Sequence, residues 1–474
     1  MSRIKQRSED FRVRELLREG VLQASGEWRV YRVIKRKLTS LEAAARLADL
    51  AGAAAGDVSM AGMKDRQGVT VQHMALRTGR DVAWRDERLR IESVGYVSAP
   101  LTAEASEGNS FEIVVRGLER DEIERLRTNV PLVREQGVVN YFDDQRFGNL
   151  RHGQGWIALQ LMRAEHEAAL RALLTAPSPH DDRRTAAFKA GLARSWGDWA
   201  ACRDVAGRFG AHHSVFEHLK RNPEDFAGAF VHVSTRLRLI HLYAFQSHLW
   251  NRAVAAYMRD HTSPEQRIVV DCVEGPLVFP AGPLPAGPGV PASFRLPGPR
   301  LEDVADPTQR ALLEDALAHE RLVAADFDIV GVSGFQLKGE DRALHVLPRH
   351  LRVRPSERDP LNRGMRLVKL RFELPRGAYA TLVVKRLLSR PLGQAGEGPP
   401  RSGPRDETRD APPGAREGGP RGRGPRERDS RSGDSRGRDR GPRQEGGRAD
   451  RGGPRSGPRG PKPPGRGQRR WNES

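Results

Sequence analysis

Cysteine is nearly missing: Cys202 and Cys272 are the only two in 474 residues, far apart and outside any C-x-x-C. That excludes a disulfide framework and a thiolate zinc site, and it suits a reducing cytoplasm. Long apolar runs are missing as well. No stretch nears the about 18 uninterrupted apolar residues that cross a bilayer, and the basic start Met1–Arg7 leads into no apolar segment, so a soluble, unexported protein is expected. There is no G-x-x-x-x-G-K-[ST] phosphate loop and no H-E-x-x-H, and His212-His213 lacks acidic or thiol partners at ligand spacing. No carboxylate cluster suited to paired metals stands out. Neither a metal nor a nucleotide cofactor is expected.

What is present in excess is positive charge. Lys+Arg number 80 against 61 Asp+Glu, a formal net charge of +19, which points to a polyanionic partner. Part of that excess lies in a tail. From Pro391 the composition turns to Gly, Pro, Arg, Ser and Asp, with no aromatic residue before Trp471. Such a segment buries too little apolar surface to offset its conformational entropy, and disorder is expected over 391–474. Its Arg-Gly stretches, such as Pro420–Gly424, fit equally an RNA-contacting arm and a solubilising tail.

The length allows more than one domain. Residues 1 to about 150 alternate strand and helix patterns: Phe11 to Glu15, Trp28 to Arg36, a helix through Leu41 to Ala51, then a strand at Phe111. This is an α+β pattern around a mixed, mostly antiparallel sheet. From about Trp156 the chain reads as helical and Ala-rich, at Ile157 to Leu174 and Thr185 to Ala193, before Pro/Gly-rich sequence at Pro280 to Pro299. In the helix starting near Leu237, residues Leu239, Tyr243, Trp250, Val254 and Tyr257 recur at core-facing spacing. Strand patterns return at Arg366 to Leu374 and Tyr379 to Leu388. The expected organisation is a first domain at 1–150, closed by 344–390, with an inserted α+β domain at 151–343 and the tail at 391–474.

One loop stands out chemically. Val58 to Met63 and Val69 to Leu76 are short β-prone runs, and Lys64-Asp65-Arg66-Gln67-Gly68 between them reads as a hairpin-like turn with Asp65 at its tip. Taken alone, such an aspartate most often only accepts backbone N–H bonds to shape the turn. Displayed on a turn, the same carboxylate is also placed to act as a nucleophile.

The run Ala61-Gly62-Met63-Lys64-Asp65-Arg66-Gln67-Gly68-Val69-Thr70-Val71-Gln72 resembles the signature of the TruD family of tRNA pseudouridine synthases. Further segments resemble the family in order: Lys5 with Glu9 to Glu15; Glu27 to Thr39; Gly108-Asn109-Ser110-Phe111; Val139 to Gly148, which carries Asn140-Tyr141-Phe142 and Gln145-Arg146-Phe147-Gly148; Ala244 to Asn251; and Leu374 to Thr381. Together they span Lys5 to about Leu388. Where the family carries basic residues before G-N-x-F, this chain has Leu101-Thr102-Ala103-Glu104-Ala105-Ser106-Glu107.

The resemblance implies a pseudouridine synthase-type catalytic domain with an inserted TRUD-type domain, isomerising a D-arm uridine of tRNA, position 13, without cofactor. It implies Asp65 as nucleophile and Lys5 as the cation that keeps it ionised, Lys64 pointing away if the strand continues through it. Phe11 and Phe142 are candidates to sandwich the flipped base or its neighbour, Tyr379 to line the pocket, and Asn140 to bond the base or hold Asp65. Each also reads plainly as a strand-core aromatic or a turn Asn. Arg66, Arg146 and Arg36 are candidate phosphate contacts. A cytoplasmic monomer acting on tRNA, away from membranes, is expected. The alternatives are a non-catalytic RNA-binding or RNA-folding protein that keeps the fold, and a synthase of other structured RNA.

Overall fold

A computed structural model describes residues 4–390 apart from 78, 283–289, 330, 333–336 and 338; the tail expected at 391–474 lies outside the described residues. Ten strands form the main sheet. Seven come from the first part of the chain: β1 (Phe11–Leu17), β2 (Trp28–Arg36), β3 (Val58–Met60), β4 (Val69–Leu76), β5 (Trp84–Arg85), β6 (Leu89–Val97) and β7 (Ser106–Leu118). Three more, Arg349–Val353, Glu357–Arg358 and Arg366–Pro375, come from its end. Along the main path the order is 349–353, 366–375, β7, β1, β4, β2, β6, β5, and only β1 against β4 is parallel. The mixed, mostly antiparallel sheet is therefore as expected.

Alternation along β1 sets the two faces of this sheet. Phe11, Val13 and Glu15 are buried while Arg12 and Arg14 are exposed. The same pattern holds in Arg366–Pro375, where Leu370 and Phe372 are buried and Lys369 and Arg371 exposed. Helices cover the inner face. Helix α1 (Ser40–Ala51) lays Ala43, Leu47 and Ala51 against Tyr31, Val33 and Met74, and α2 (Arg120–Gln136) joins Ile123, Leu126 and Val130 to the Ile113 and Val115 side. The ends of α1 are written in its sequence: Thr39 and Glu42 form a capping box, and Gly52 closes it at φ 73°.

The chain leaves the sheet at Val138–Val139 and returns at His345–Val346, and these two short strands pair antiparallel with His345 opposite Val139. Between them lie helices, including Thr235–Asp260, and four short strands. Their side chains share one continuous apolar cluster with the sheet: Phe11 and Phe372 belong to it, as do Phe216, Trp250 and Leu313. The described residues accordingly form a single compact unit.

Three local expectations need correction. The Ile157–Leu174 helix is two helices, Ile157–Met162 and His166–Thr175, because Ala164 takes a left-handed φ of 58° between them. The segment after Tyr379 is a helix, Ala380–Leu388, and not a strand; it packs Leu382, Val383 and Leu387 into the core beside α2. In Thr235–Asp260, Trp250, Val254 and Tyr257 are core as expected, but Tyr243 is 36% exposed. No helix among the described residues is long and apolar enough to cross a membrane.

Candidate active site

The Asp65 loop joins β3 to β4, which pair antiparallel with Met60 opposite Met74. It is held on the inner face by four tethers. Ser40 Oγ accepts the Lys64 backbone N–H at 2.9 Å and donates to Gln72 Oε1 at 2.7 Å. Lys64 Nζ turns away from Asp65 and pairs with the buried Glu15 at 2.8 Å. Lys35 Nζ, itself buried, donates to the carbonyl oxygens of Leu38 (2.9 Å), Lys64 (3.2 Å) and Asp65 (2.9 Å). Gly68 completes the set: a Cβ there would lie 2.5 Å from the Phe11 carbonyl oxygen, so only glycine allows β4 to start so close to β1.

The carboxylate of Asp65 has two uses. Oδ1 accepts the Gln67 N–H at 2.9 Å, the turn-shaping role that any such aspartate plays. Oδ2 faces Lys5 Nζ at 2.5 Å. Burial alone pushes the Asp65 carboxyl up, but the Lys5 hydrogen bond and charge, the Gln67 N–H and the charge of Lys35 outweigh it, and the group titrates below the usual range. It is ionised at neutral pH. Lys5 Nζ also lies 4.3 Å from the centroid of the Phe11 ring, which is 6% exposed. Lys5, Phe11 and Asp65 thus form one contact group.

Beside it opens a cavity of about 1120 Å³ bordered by six cations, Lys5, Arg7, Arg36, Lys37, Arg66 and Arg88. The carboxylate lining it is Glu9, which pairs with Arg36 at 2.5 Å. Arg66 and Arg36, singled out as phosphate contacts, both stand here; Arg146 does not.

Asn140, Phe142 and Tyr379 gather elsewhere, around Arg342. The Arg342 guanidinium lies 3.9 Å from the Phe142 centroid, donates through Nε to the Asn140 carbonyl at 2.8 Å, and through Nη2 to Asn140 Oδ1 at 2.9 Å and Gly377 O at 3.0 Å. Asn140 Nδ2 donates to Ala343 O at 3.0 Å, so its amide is engaged with Arg342 and Ala343 and does not hold Asp65. Phe142 meets Tyr379 edge-on at 6.2 Å, and Arg146 stands 5.3 Å from the Phe142 ring and 5.6 Å from Tyr243. Burial lowers the pKa of Arg342 to about 10 and raises that of Tyr379. Phe11 and Phe142 are each 6% exposed with a cation over the ring, so neither presents an open stacking face in this state. No hydrogen bond or ring contact among the described residues joins the two groups; both border the same apolar cluster.

Two residues were missed in the sequence. Lys35 was findable, because it sits at an inward position of an alternating strand, in phase with Val33 and Tyr31, where a lysine needs a reason. Arg342 carried no signal, as Asn140 and Phe142, which it holds, lie about 200 positions away. The acidic stretch before Gly108 also gains context: Glu107 pairs with Arg349 at 2.7 Å, and Arg376 donates to Ala103 O, so distant arginines bring cations to that corner.

Asp143, Asp144 and Cys272 come together with ligand atoms within 4.8 Å of one another. Sequence spacing gave no hint of this grouping. Lys385 Nζ lies at its centre, 2.6 Å from Asp143, 2.9 Å from Asp144 and 3.2 Å from Cys272 Sγ. The ammonium fills the role that a metal ion would have, and Thr381 Oγ1 donates to Asp143 as well.

The fold is that of the pseudouridine synthases of this type: a Methanosarcina mazei chain assigned to tRNA pseudouridine synthase D superposes with a TM-score of 0.60 at 20% identity, over 82% of this chain and 93% of that one. Sequence then gives the family. The model of the family described as "tRNA pseudouridine synthase D (TruD)" matches residues 1–276 and 290–387, and the chain belongs to that family. Among its relatives, tRNA pseudouridine synthase D of Leptospira interrogans is 27% identical over 408 residues, 82% of this chain and 96% of that protein. The Geobacter sulfurreducens enzyme of the same name is 29% identical over 412 residues, 82% and 94% respectively. Membership makes the chain an isomerase, an RNA pseudouridine synthase.

Proposed function

We propose that this chain converts a D-arm uridine of tRNA, position 13, to pseudouridine, with Asp65 as the nucleophile. The observation that carries this reading is the Lys5–Asp65 pair, an ionised carboxylate fixed by its loop beside a cavity bordered by cations. The reaction breaks the C1′–N1 bond of the nucleotide and joins C1′ to C5; the C5 proton leaves and N1 gains one, so atoms and electrons balance without redox partner or energy source. The carboxylate initiates it, on the sugar, on the base or by taking a sugar proton. Lys5 holds Asp65 ionised until substrate arrives.

The target base leaves its stack to reach Asp65, at a cost of a few kcal/mol. Phosphates flanking it sit in the cation-lined cavity, where Arg66 and Arg36 make bidentate contacts. Phe11 and Phe142 receive the base or its neighbour once Lys5 and Arg342 shift from the rings they cover, Tyr379 lines the pocket, and Asn140 orients the base from beside Arg342. Residues 151–343 act as a domain inserted between the two parts of the catalytic domain, 1–150 and 344–390; the side-by-side pairing of Val139 with His345 supports this. The enzyme works as a cytoplasmic monomer.

The test is the pseudouridine content of unmodified tRNA after incubation with wild type and with Asp65→Asn, mapped to the nucleotide, with a chelator present. Product at the D-arm site from wild type alone is expected. Tight binding without product from either protein would instead make it an RNA-binding or RNA-folding protein, or a synthase of another RNA.

A further inference from the structure

The inner face of the main sheet carries Asp65: Phe11 contacts Lys5, Glu15 contacts Lys64, and both are inward positions of β1. The outer face belongs to no part of that site. Period-two alternation puts Arg12 there, with Glu112 of β7 opposite it, Arg371 opposite Glu112, and Arg352 opposite Arg371. All four are exposed. At about 4.8 Å per strand, this cross-strand row runs roughly 14 Å.

Around the row opens a second cavity of about 780 Å³, whose further cations are Arg116, Arg134, Arg354 and Lys369. Its carboxylates are already engaged or outnumbered. Asp10 is bound by Arg116, and Glu112 stands alone between Arg12 and Arg371. Among the described residues Arg12, Arg352, Arg354 and Arg371 have no carboxylate within ion-pair distance, whereas Lys369 has Glu357. Four unpaired guanidinium groups on an open sheet face repel one another and hold no internal fold contact in place, which favours an external polyanion.

The two cavities meet. Glu9, just before the start of β1, lines both the Asp65-side cavity and the outer one, so cations continue from Arg36 and Arg66 past that end of β1 to Arg12, Arg371 and Arg352. We propose that the outer face of the sheet is a second RNA-binding surface, which takes the phosphate backbone of the substrate RNA at a distance from the target uridine. Contacts there position without reading sequence. They add affinity for a large folded RNA and nothing for a small hairpin. The inference rests on RNA as the substrate, though not on which uridine is modified.

The experiment compares wild type with the triple variant Arg12→Gln, Arg352→Gln, Arg371→Gln, and with the matching triple lysine variant. Binding to full-length unmodified tRNA is followed by anisotropy from 50 to 200 mM salt, and turnover is measured on that tRNA and on a hairpin carrying the same uridine. Three lost phosphate contacts lower the salt slope by about 2, so the glutamine variant's disadvantage shrinks about sixteenfold across that range. KM for tRNA rises, kcat and hairpin kinetics hold, and the lysine variant keeps the slope. An unchanged slope, an equal loss on the hairpin, or an equal loss in the lysine variant would overturn the proposal. Absence of pseudouridine from wild type would count against the proposed reaction alone, because the binding arm is read without turnover.

Discussion

Replacing Lys35 by Met tests whether the Asp65 loop is held from beneath. Lys35 is 1% exposed and bonds three backbone carbonyls, two of them at Lys64 and Asp65. Burial draws its pKa down from 10.5 to about 8, with the charges of Asp65 and Glu42 pulling upward and Lys64 downward. At about 1.36 kcal/mol for each unit of pKa, that depression means roughly 3 kcal/mol of stability given up to keep the ammonium charged. Below pH 8 the group is protonated folded and unfolded, and the cost is carried in full. Between about 8 and 10.5 the unfolded chain holds the proton that the folded chain has released, so stability rises with pH. Methionine abolishes this rise. Wild type should therefore gain up to about 3 kcal/mol over Lys35→Met between pH 8 and 10.5 in urea denaturation. At pH 7 the three carbonyls that lose their donor cost about 1–3 kcal/mol each, more together than the roughly 3 kcal/mol released with the buried charge, so the variant should be less stable there. Its kcat for pseudouridine formation should fall more than its KM rises, since the loop that aims Asp65 is released. Parallel pH–stability curves for the two proteins, or an unaltered kcat, would refute the reasoning.

Other substitutions probe the same neighbourhood. Lys5→Met leaves burial as the main influence on Asp65, so its carboxyl titrates higher and the acid limb of the pH–kcat/KM profile moves up in pH; a stationary limb would show that Lys5 does not hold the charge. Gly68→Ala forces a Cβ to 2.5 Å from the Phe11 carbonyl and should cost about 1–3 kcal/mol in thermal denaturation, with activity falling as the loop shifts. Arg342→Met strips donors from Asn140 O, Asn140 Oδ1 and Gly377 O, and a loss of about 2–4 kcal/mol is expected by the same assay. Lys385→Met leaves Asp143 and Asp144 facing each other without a cation. Its stability should fall below wild type at pH 7 and recover as the pH is lowered toward the carboxylate range, as denaturation across pH 4–7 would show.

Much of the first half was legible because its signals are local. Trp28–Arg36 and Phe11 onward alternate, Thr39-x-x-Glu42 caps a helix, and Gly68 follows a polar turn, so strands, helix and the Asp65 loop stand where periodicity put them. The errors fall where tertiary contacts override pattern. Residues 380–388 are rich in β-branched side chains, yet Leu382, Val383 and Leu387 lie on one helical face that α2 buries. Tyr243 has core spacing, but its ring is drawn to Arg146 at the surface. In the site, Asp65 was visible through its loop and Lys5 through resemblance. Arg342 and the Asp143–Asp144–Lys385 group were not, because each assembles from segments about 200 positions or more apart.

The placement of β7 has a consequence in time. Its two neighbours in the sheet are β1, already made, and Arg366–Pro375, which begins about 250 residues later. At roughly 5–20 residues per second of synthesis, one edge of β7 waits about 12–50 s for its partner. A thirteen-residue strand with an unpaired edge is a template for wrong pairing throughout that interval. The nascent chain thus passes through a period in which the ribosome's pace, rather than the stability of the finished protein, sets its exposure to aggregation. Slowing translation between residues 118 and 366 should lower soluble yield without altering the folded product.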